Sequence, residues 1–199
     1  GDGTVRDVLT CGQAVFGDDW PVLAVLPKGK TNALSFDLGL PDDWTLPDAI
    51  EALDHGGRAW RRPLTVTVRG GGHRRDTIAR AMGFVLGAGA FTTATQAGQS
   101  AHRLGAFDSM VVVLTGAWAL LQSLFATRDN PWRRGARMRI GLGMGDAPMA
   151  HSGEGDPAMR QILFASTLER LPAGINPFGA LKGGLKLLAI DQISRRTTA

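Results

Sequence analysis

Short apolar runs separated by glycine and proline predict α/β character at the start of the chain. Residues 22–26 (VLAVL) form a continuous apolar run between two prolines, which predicts a buried, parallel strand. Residues 5–9 (VRDVL) predict the start of an amphipathic helix. Residues 47–53 predict another helix, with Pro47 in its first turn and two glycines beyond its end. Residues 1–58 are therefore predicted to form a partial α/β domain.

From residue 59 onward the pattern changes to β-branched, alternating segments. Residues 64–69 (LTVTVR) alternate apolar and polar side chains, which predicts a strand, and the glycines at 70–72 predict a turn. Four further segments predict strands: residues 79–87, 137–142, 161–166 and 185–190. Strands joined by glycine turns, with few helices, predict an antiparallel sandwich over residues 59–199.

Residues 109–127 are mostly apolar and carry no formal charge. Their length is at the lower limit for a transmembrane helix. Polar residues within the segment, such as Gln122 and Ser123, favour a buried or groove-lining helix instead. A helix with one face towards a membrane is the third interpretation, since Arg128 and further arginines just beyond the segment suit anionic headgroups.

The chain is basic, with a net charge of +4 and an isoelectric point near 10.0. The positive charge lies mainly on clustered arginines, which are either a solvated surface or a site for an anionic membrane or nucleic acid. Aromatic residues are sparse and do not alternate with these clusters, so a membrane surface is favoured over nucleic acid. The single cysteine, Cys11, excludes an internal disulfide and a cysteine-based zinc cluster.

Residues 1–4 (GDGT) have the composition of a phosphate-binding loop followed by a helix. Two glycines around one acidic residue let a backbone approach a polyphosphate, and the helix N-terminus offers free N–H groups to the anion. Such a loop normally follows a strand. We therefore expect a nucleotide-phosphate site here, and a further portion of the protein before it.

Residues 27–34 (PKGKTNAL) form a second candidate phosphate loop, between the predicted strand at 22–26 and a following helix. Lys30 is placed to contact a β- or γ-phosphate, and Lys28 to attract the nucleotide. The simpler interpretation is a strand-to-helix loop with solvated lysines. The two glycine motifs together support phosphate binding more strongly than either does alone.

These motifs resemble those of the diacylglycerol kinase and sphingosine kinase superfamily. Residues 1–5 resemble its G-G-D-G-T loop, residues 27–34 its P-x-G-[TS]-x-N-[DA]-[LF] segment, and residues 38–41 its L-G-[IL]-P. Residues 83–91 and 177–189 resemble later segments of the family, in the same order. The resemblance implies that the chain is a piece of such a protein, truncated at both ends.

The family resemblance implies an NAD kinase/diacylglycerol kinase-like fold with an α/β ATP-binding domain over residues 1–58 and a β-sandwich lipid-substrate domain over 59–199. It implies transfer of the γ-phosphoryl group of ATP to a lipid hydroxyl such as that of diacylglycerol or a sphingoid base, with Mg²⁺ as cofactor. The expected partner is a lipid substrate at a membrane surface, and no nucleic acid is expected. The expected location is the cytoplasm, with peripheral binding to the inner face of the membrane, and a homodimer is considered. The nucleotide-binding residues implied are Gly1, Asp2, Gly3, Thr4, Gly29, Lys30, Thr31 and Asn32.

Three departures from the family pattern bear on activity. Lys30 stands where the family has threonine or serine, and Gly183 stands where an aspartate helps to hold a structural Mg²⁺. The family's catalytic base lies in a D-G-E-like motif that these 199 residues do not contain, so the catalytic residue stays unknown and an incomplete, weakly active or inactive piece is expected. The alternatives are a non-catalytic lipid-binding remnant of this fold and an NAD kinase-like enzyme with a soluble acceptor.

The other candidate residues each have a functional and a structural interpretation. Asp2 is either a nucleotide or metal contact or a cap of the helix that follows it. Asp146, Glu154 and Asp156 lie in a glycine-rich stretch, where a solvated hairpin loop is favoured over a cation site. The four histidines are far apart in the sequence, so no metal site is assigned to them.

Overall fold

The structure is a computed structural model that describes residues 1–69, 78–93, 135–151, 156–174 and 176–191. Contacts divide the chain into two compact units. The first comprises Gly1–Val85 and Ser166–Lys186, and the second comprises Leu86–Ala165 and Leu187–Ala199. The predicted assignment of residues 1–58 and 59–199 to a nucleotide and a lipid domain stays a prediction.

Three helices lie near the start of the chain: α1 (Asp2–Phe16), α2 (Ala33–Leu38) and α3 (Leu46–Asp54). Both helices predicted from the apolar pattern are confirmed. Helix α3 begins with a capping box, in which the Thr45 N–H donates to Asp48 and the Asp48 N–H faces the Thr45 hydroxyl. Pro47 lies in its first turn, as the sequence predicts.

The described strands belong to three sheets. They are β1 (Leu64–Arg69), β2 (Ile78–Gly83), β3 (Val85–Gly89), β4 (Ala136–Arg137), β5 (Gly141–Leu142), β6 (Ala147–Pro148), β7 (Met159–Ser166) and β8 (Lys186–Asp191). Strands β1 and β2 form one antiparallel pair, and β5 and β6 form another. Strand β7 lies between β3 and β4 and also pairs with β8, and its pairing with β4 is antiparallel.

Three strand predictions need correction. Residues 22–26 form no strand, and Val22 is 59% exposed, because the structure places no pairing strand beside them in the described residues. The predicted strand at 79–87 is two strands, broken at Phe84, whose carbonyl accepts from Thr167 N–H and the Ser166 hydroxyl. The segment 137–142 is also two short strands, because β4 pairs with β7 whereas β5 pairs with β6.

Two other predictions lie outside the described residues. These are the glycine turn at 70–72 and the apolar segment at 109–127. The part of the chain that the structure describes contains no helix long and apolar enough to cross a membrane.

In the first unit, helix α1 packs against strand β2. The hydroxyl of Thr10 accepts the backbone N–H of Met82 at 3.0 Å, and the neighbouring Leu9 is buried. This contact fixes the helix to the hairpin of β1 and β2, and so fixes the first residues of α1 relative to the rest of the unit.

The second unit contains a buried ion pair beside strand β7. Arg160 on β7 donates to Asp191 on β8, and both side chains are more than nine-tenths buried. The Arg160 guanidinium also donates to the carbonyls of Met149 and Ala150. The aromatic rings of Phe91 and Phe164 lie 5.2 Å apart in the same unit.

A candidate phosphate-binding cleft

The two glycine motifs of the sequence meet in space. The backbones of Gly1 and Gly29 approach so closely that a Cβ on Gly29 would lie 2.6 Å from the Gly1 Cα. A Cβ on Gly1 would lie equally close to the Gly29 Cα, at 2.5 Å. Real Cβ atoms do not approach backbone atoms to such distances. The contact between the motifs therefore requires glycine at both positions.

Asn32 fixes the shape of the second loop. Its Oδ1 accepts the Gly29 N–H at 2.7 Å, and its Nδ2 donates to the carbonyls of Gly29 and Pro27. Its backbone is left-handed, with φ of 49°, a conformation that asparagine tolerates better than most residues. Asn32 is the N-cap residue of α2, but its side chain stabilises the loop rather than the helix.

Asp2 connects the two motifs. Its carboxylate accepts the backbone N–H groups of Ala33 at 2.9 Å and Leu34 at 3.1 Å. Of the two roles considered for Asp2, the cap of the helix that follows it is wrong, because Asp2 is itself the first residue of α1 and its carboxylate caps α2 instead. A local sequence pattern does not reveal this role, since the two N–H groups lie more than thirty residues along the chain.

An open cleft of about 340 Å³ lies where the motifs meet. The residues that line it are Gly1, Asp2, Gly3, Thr4, Lys28, Gly29, Lys30 and Thr31. The structure thus brings together at one cleft seven of the eight residues predicted to bind nucleotide. The eighth, Asn32, is half-buried and holds the Gly29 loop.

The charges around the cleft favour an anion. Helix α1 begins at its edge, and the first N–H groups of a helix have no intrahelical acceptor. The aligned peptide dipoles add partial positive charge there. Lys28 and Lys30 are exposed and line the same cleft. Its one carboxylate, that of Asp2, already accepts two N–H groups, so it opposes an incoming anion less than a free carboxylate would.

The cleft residues do not by themselves fit a magnesium site. Mg²⁺ prefers near-octahedral oxygen coordination and usually combines one or two carboxylates with water and substrate phosphates. Asp2 supplies the only carboxylate lining the cleft, and α2 engages both of its oxygens. Among the described residues no group of three or more potential metal ligands occurs. An ion bound here would depend on the nucleotide for most of its ligands.

Helix α2 is also held from its other end, by contacts that the sequence did not predict. Asp37 is fully buried, and its Oδ1 accepts the backbone N–H groups of Glu169 and Arg170 at 2.7 and 2.6 Å. Its Oδ2 accepts Nε of Arg61 at 2.5 Å. This hydrogen bond is the main reason that the pKa of Arg61 is raised. Asp37 therefore joins α2 to two segments distant in sequence.

A comparison with known protein families finds a match to the part of the chain that contains the cleft. Residues 1–62 match the model of the diacylglycerol kinase catalytic domain family. No curated protein and no solved structure shows a significant match to the chain. The matched residues include both glycine motifs, α1 to α3 and Arg61. This match supports a diacylglycerol kinase-like catalytic domain family for residues 1–62, and it implies an NAD kinase-like α/β fold for this segment.

Proposed function

We propose that the protein is an ATP-dependent lipid kinase, and that the cleft between the two glycine motifs holds the phosphates of ATP. The observation that carries this proposal is the meeting of Gly1 and Gly29 at the N-terminus of α1. It lies inside the segment that matches the kinase family. Close backbones without side chains, free N–H groups and two lysines are the features expected of a polyphosphate cradle.

Each cleft residue has a part in this proposal. The N–H groups of the first turn of α1 bind phosphate oxygens, and Lys28 and Lys30, which line the same cleft, add positive charge. Asp2 and Asn32 are positioning residues, since they hold the second loop in place. Phosphoryl transfer depends chiefly on positioning and charge stabilisation. The base that would accept the proton of the lipid hydroxyl is not assigned to any described residue.

The acceptor in this proposal is a lipid hydroxyl, of diacylglycerol or a sphingoid base, presented at the inner face of a membrane. Residues 59–199 would supply the lipid-substrate domain, with the β-sandwich arrangement expected from the sequence. The basic charge of the chain supports a negatively charged membrane as its working surface. Association into a homodimer is part of the same proposal.

The test is a transfer assay with the natural polypeptide, ATP labelled in the γ-phosphate, and three acceptors in parallel. Diacylglycerol and sphingosine are offered in mixed micelles, and NAD in solution. Label in either lipid supports the proposal. Label in NAD alone would replace it with the NAD kinase-like alternative, and lipid binding without any transfer would favour the non-catalytic remnant. Asp2→Ala, with Asp7→Ala as its matched control on the same helix, shows whether transfer depends on the cleft.

A further inference from the structure

A loop in the first unit stands out by its exposure. Residues 179–185 are all exposed, whereas the residues on either side of them, Phe178 and Lys186, are 9% and 5% exposed. The chain therefore leaves the packed part of the unit after Phe178 and returns to it at Lys186. A loop whose ends lie close together while its middle is solvated is a compact surface loop of the kind that often carries function.

The base of the loop is held by its two buried ends. The ammonium group of Lys186 lies 5.8 Å from the centre of the Phe178 ring, a cation–π distance. Within the described residues this ammonium group has no hydrogen-bond partner, and it lies over the face of the Phe178 ring instead. Gly179, Gly183 and Gly184 all have positive φ, which turns the backbone where other residues would be strained.

Two leucines and one lysine form the outer part of this loop. Leu181 is 61% exposed and Leu185 is 65% exposed, with Lys182 between them also exposed. No acidic residue occurs between positions 176 and 186 of the sequence. The outer part of the loop is therefore basic and apolar.

Two other exposed apolar side chains, Val15 and Met144, lack this combination. Val15 on α1 is 75% exposed, but Asp18 and Asp19 lie three and four residues further along the sequence. Met144, at the turn between β5 and β6, is fully exposed, but Asp146 lies two residues on and is itself exposed. Exposed carboxylates beside an apolar group oppose approach to an anionic surface, and the loop at 179–185 has none.

We propose that residues 179–185 dock the protein on an anionic lipid bilayer. Leu181 and Leu185 would enter the boundary between headgroups and acyl chains, which removes their exposed apolar surface from water. Lys182 would remain at headgroup level, where a basic residue near an anionic surface is attracted electrostatically. The net charge of +4 of the whole chain acts in the same direction. This surface goes beyond the proposed kinase activity, since docking does not require that phosphate be transferred.

The experiment is vesicle co-sedimentation of the natural polypeptide without nucleotide. Vesicles of phosphatidylcholine alone are compared with vesicles that also contain phosphatidylglycerol. We expect binding to the anionic vesicles, lowered roughly tenfold or more by the double change Leu181→Ser and Leu185→Ser. Lys182→Ala should lower it roughly fivefold on anionic vesicles, with little effect on neutral ones.

Val15→Ser is the matched control, because it removes an equally exposed apolar side chain from the same unit. It should leave vesicle binding unchanged. Circular dichroism of each variant confirms folding, which these exposed positions should not disturb. The proposal is overturned if the double leucine variant binds like the unmodified protein, if Val15→Ser lowers binding as much, or if no vesicle binds. Because no nucleotide is present, none of these outcomes depends on kinase activity.

Discussion

The carboxylate of Asp2 accepts the backbone N–H of Ala33 at 2.9 Å. The first residue of α1 therefore caps the N-terminus of α2, and a second bond to Leu34 at 3.1 Å completes the contact. Because the two glycine motifs lie at the starts of these two helices, the position of one motif depends on the other. A cleft built in this way would already have its shape before the proposed phosphates bind, which would lower the ordering cost of binding.

Removing this carboxylate should loosen the cleft. Asp2→Ala leaves two N–H groups of α2 without their acceptor, and we expect a loss of about 1–2 kcal/mol in the free energy of unfolding, as for other helix caps. ATP affinity should fall with it. Urea unfolding and calorimetric titration measure the two effects. Asp7→Ala, which removes an exposed carboxylate of the same helix that pairs with its neighbour Arg6, should change neither by a comparable amount.

A methyl group at Gly29 should separate the two motifs. The added Cβ of Gly29→Ala would lie 2.6 Å from the Gly1 Cα, so the backbones must move apart, at a cost of about 1–3 kcal/mol. Thermal unfolding measures this loss. Gly145→Ala is the control, because a Cβ there meets nothing within 4 Å. Equal stability of the two variants would show that the close approach does not constrain the cleft.

The sequence predicted the parts of this site that depend on local patterns. The glycine motifs and the helix with Pro47 in its first turn are such parts, because their geometry follows from neighbouring residues. The predicted strand at 22–26 was wrong, because a strand requires a partner that an apolar run does not reveal. The link from Asp37 to Arg170 spans more than a hundred residues, and no spacing rule connects two such positions.

Substitution of Lys30 tests how much the positive charge of the cleft contributes to ATP binding. Lys30→Ala removes one positive charge from the lining, and we expect ATP affinity to fall roughly fivefold at low ionic strength, with a smaller loss in high salt. Lys30→Thr restores the residue found in the family and tests whether a hydroxyl replaces the ammonium group. Lys182→Ala removes an exposed lysine that does not line the cleft. A fall in affinity of the same size in that control would point to a general effect of net charge.

The capping box of α3 predicts an acid-dependent contribution to stability. Hydrogen bonds from the Thr45 hydroxyl and N–H lower the pKa of Asp48. Because the folded-state pKa lies below the unfolded one, this contribution is fully present above the unfolded value, near pH 4, and is lost as pH falls through the folded pKa. The difference in urea midpoint between the protein and Asp48→Asn should therefore shrink below about pH 4. A difference that stays constant in acid would contradict this assignment.

The buried carboxylate of Asp37 predicts an asymmetric response to mutation. Asp37→Ala leaves the N–H groups of Glu169 and Arg170 and the guanidinium of Arg61 without their shared acceptor. We expect a loss of about 3 kcal/mol or more in the free energy of unfolding. Arg61→Ala should cost less, because Arg61 is 21% exposed and Asp37 keeps its two backbone donors.

A double-mutant cycle separates the pair from its surroundings. The double variant, Asp37→Ala with Arg61→Ala, should be less destabilised than the sum of the two single variants, because each single change already breaks their hydrogen bond. Urea unfolding of the four proteins gives this coupling. Strict additivity would mean that the contact between Asp37 and Arg61 does not stabilise the fold. In that case α2 would be held at this end by the backbone N–H groups of Glu169 and Arg170.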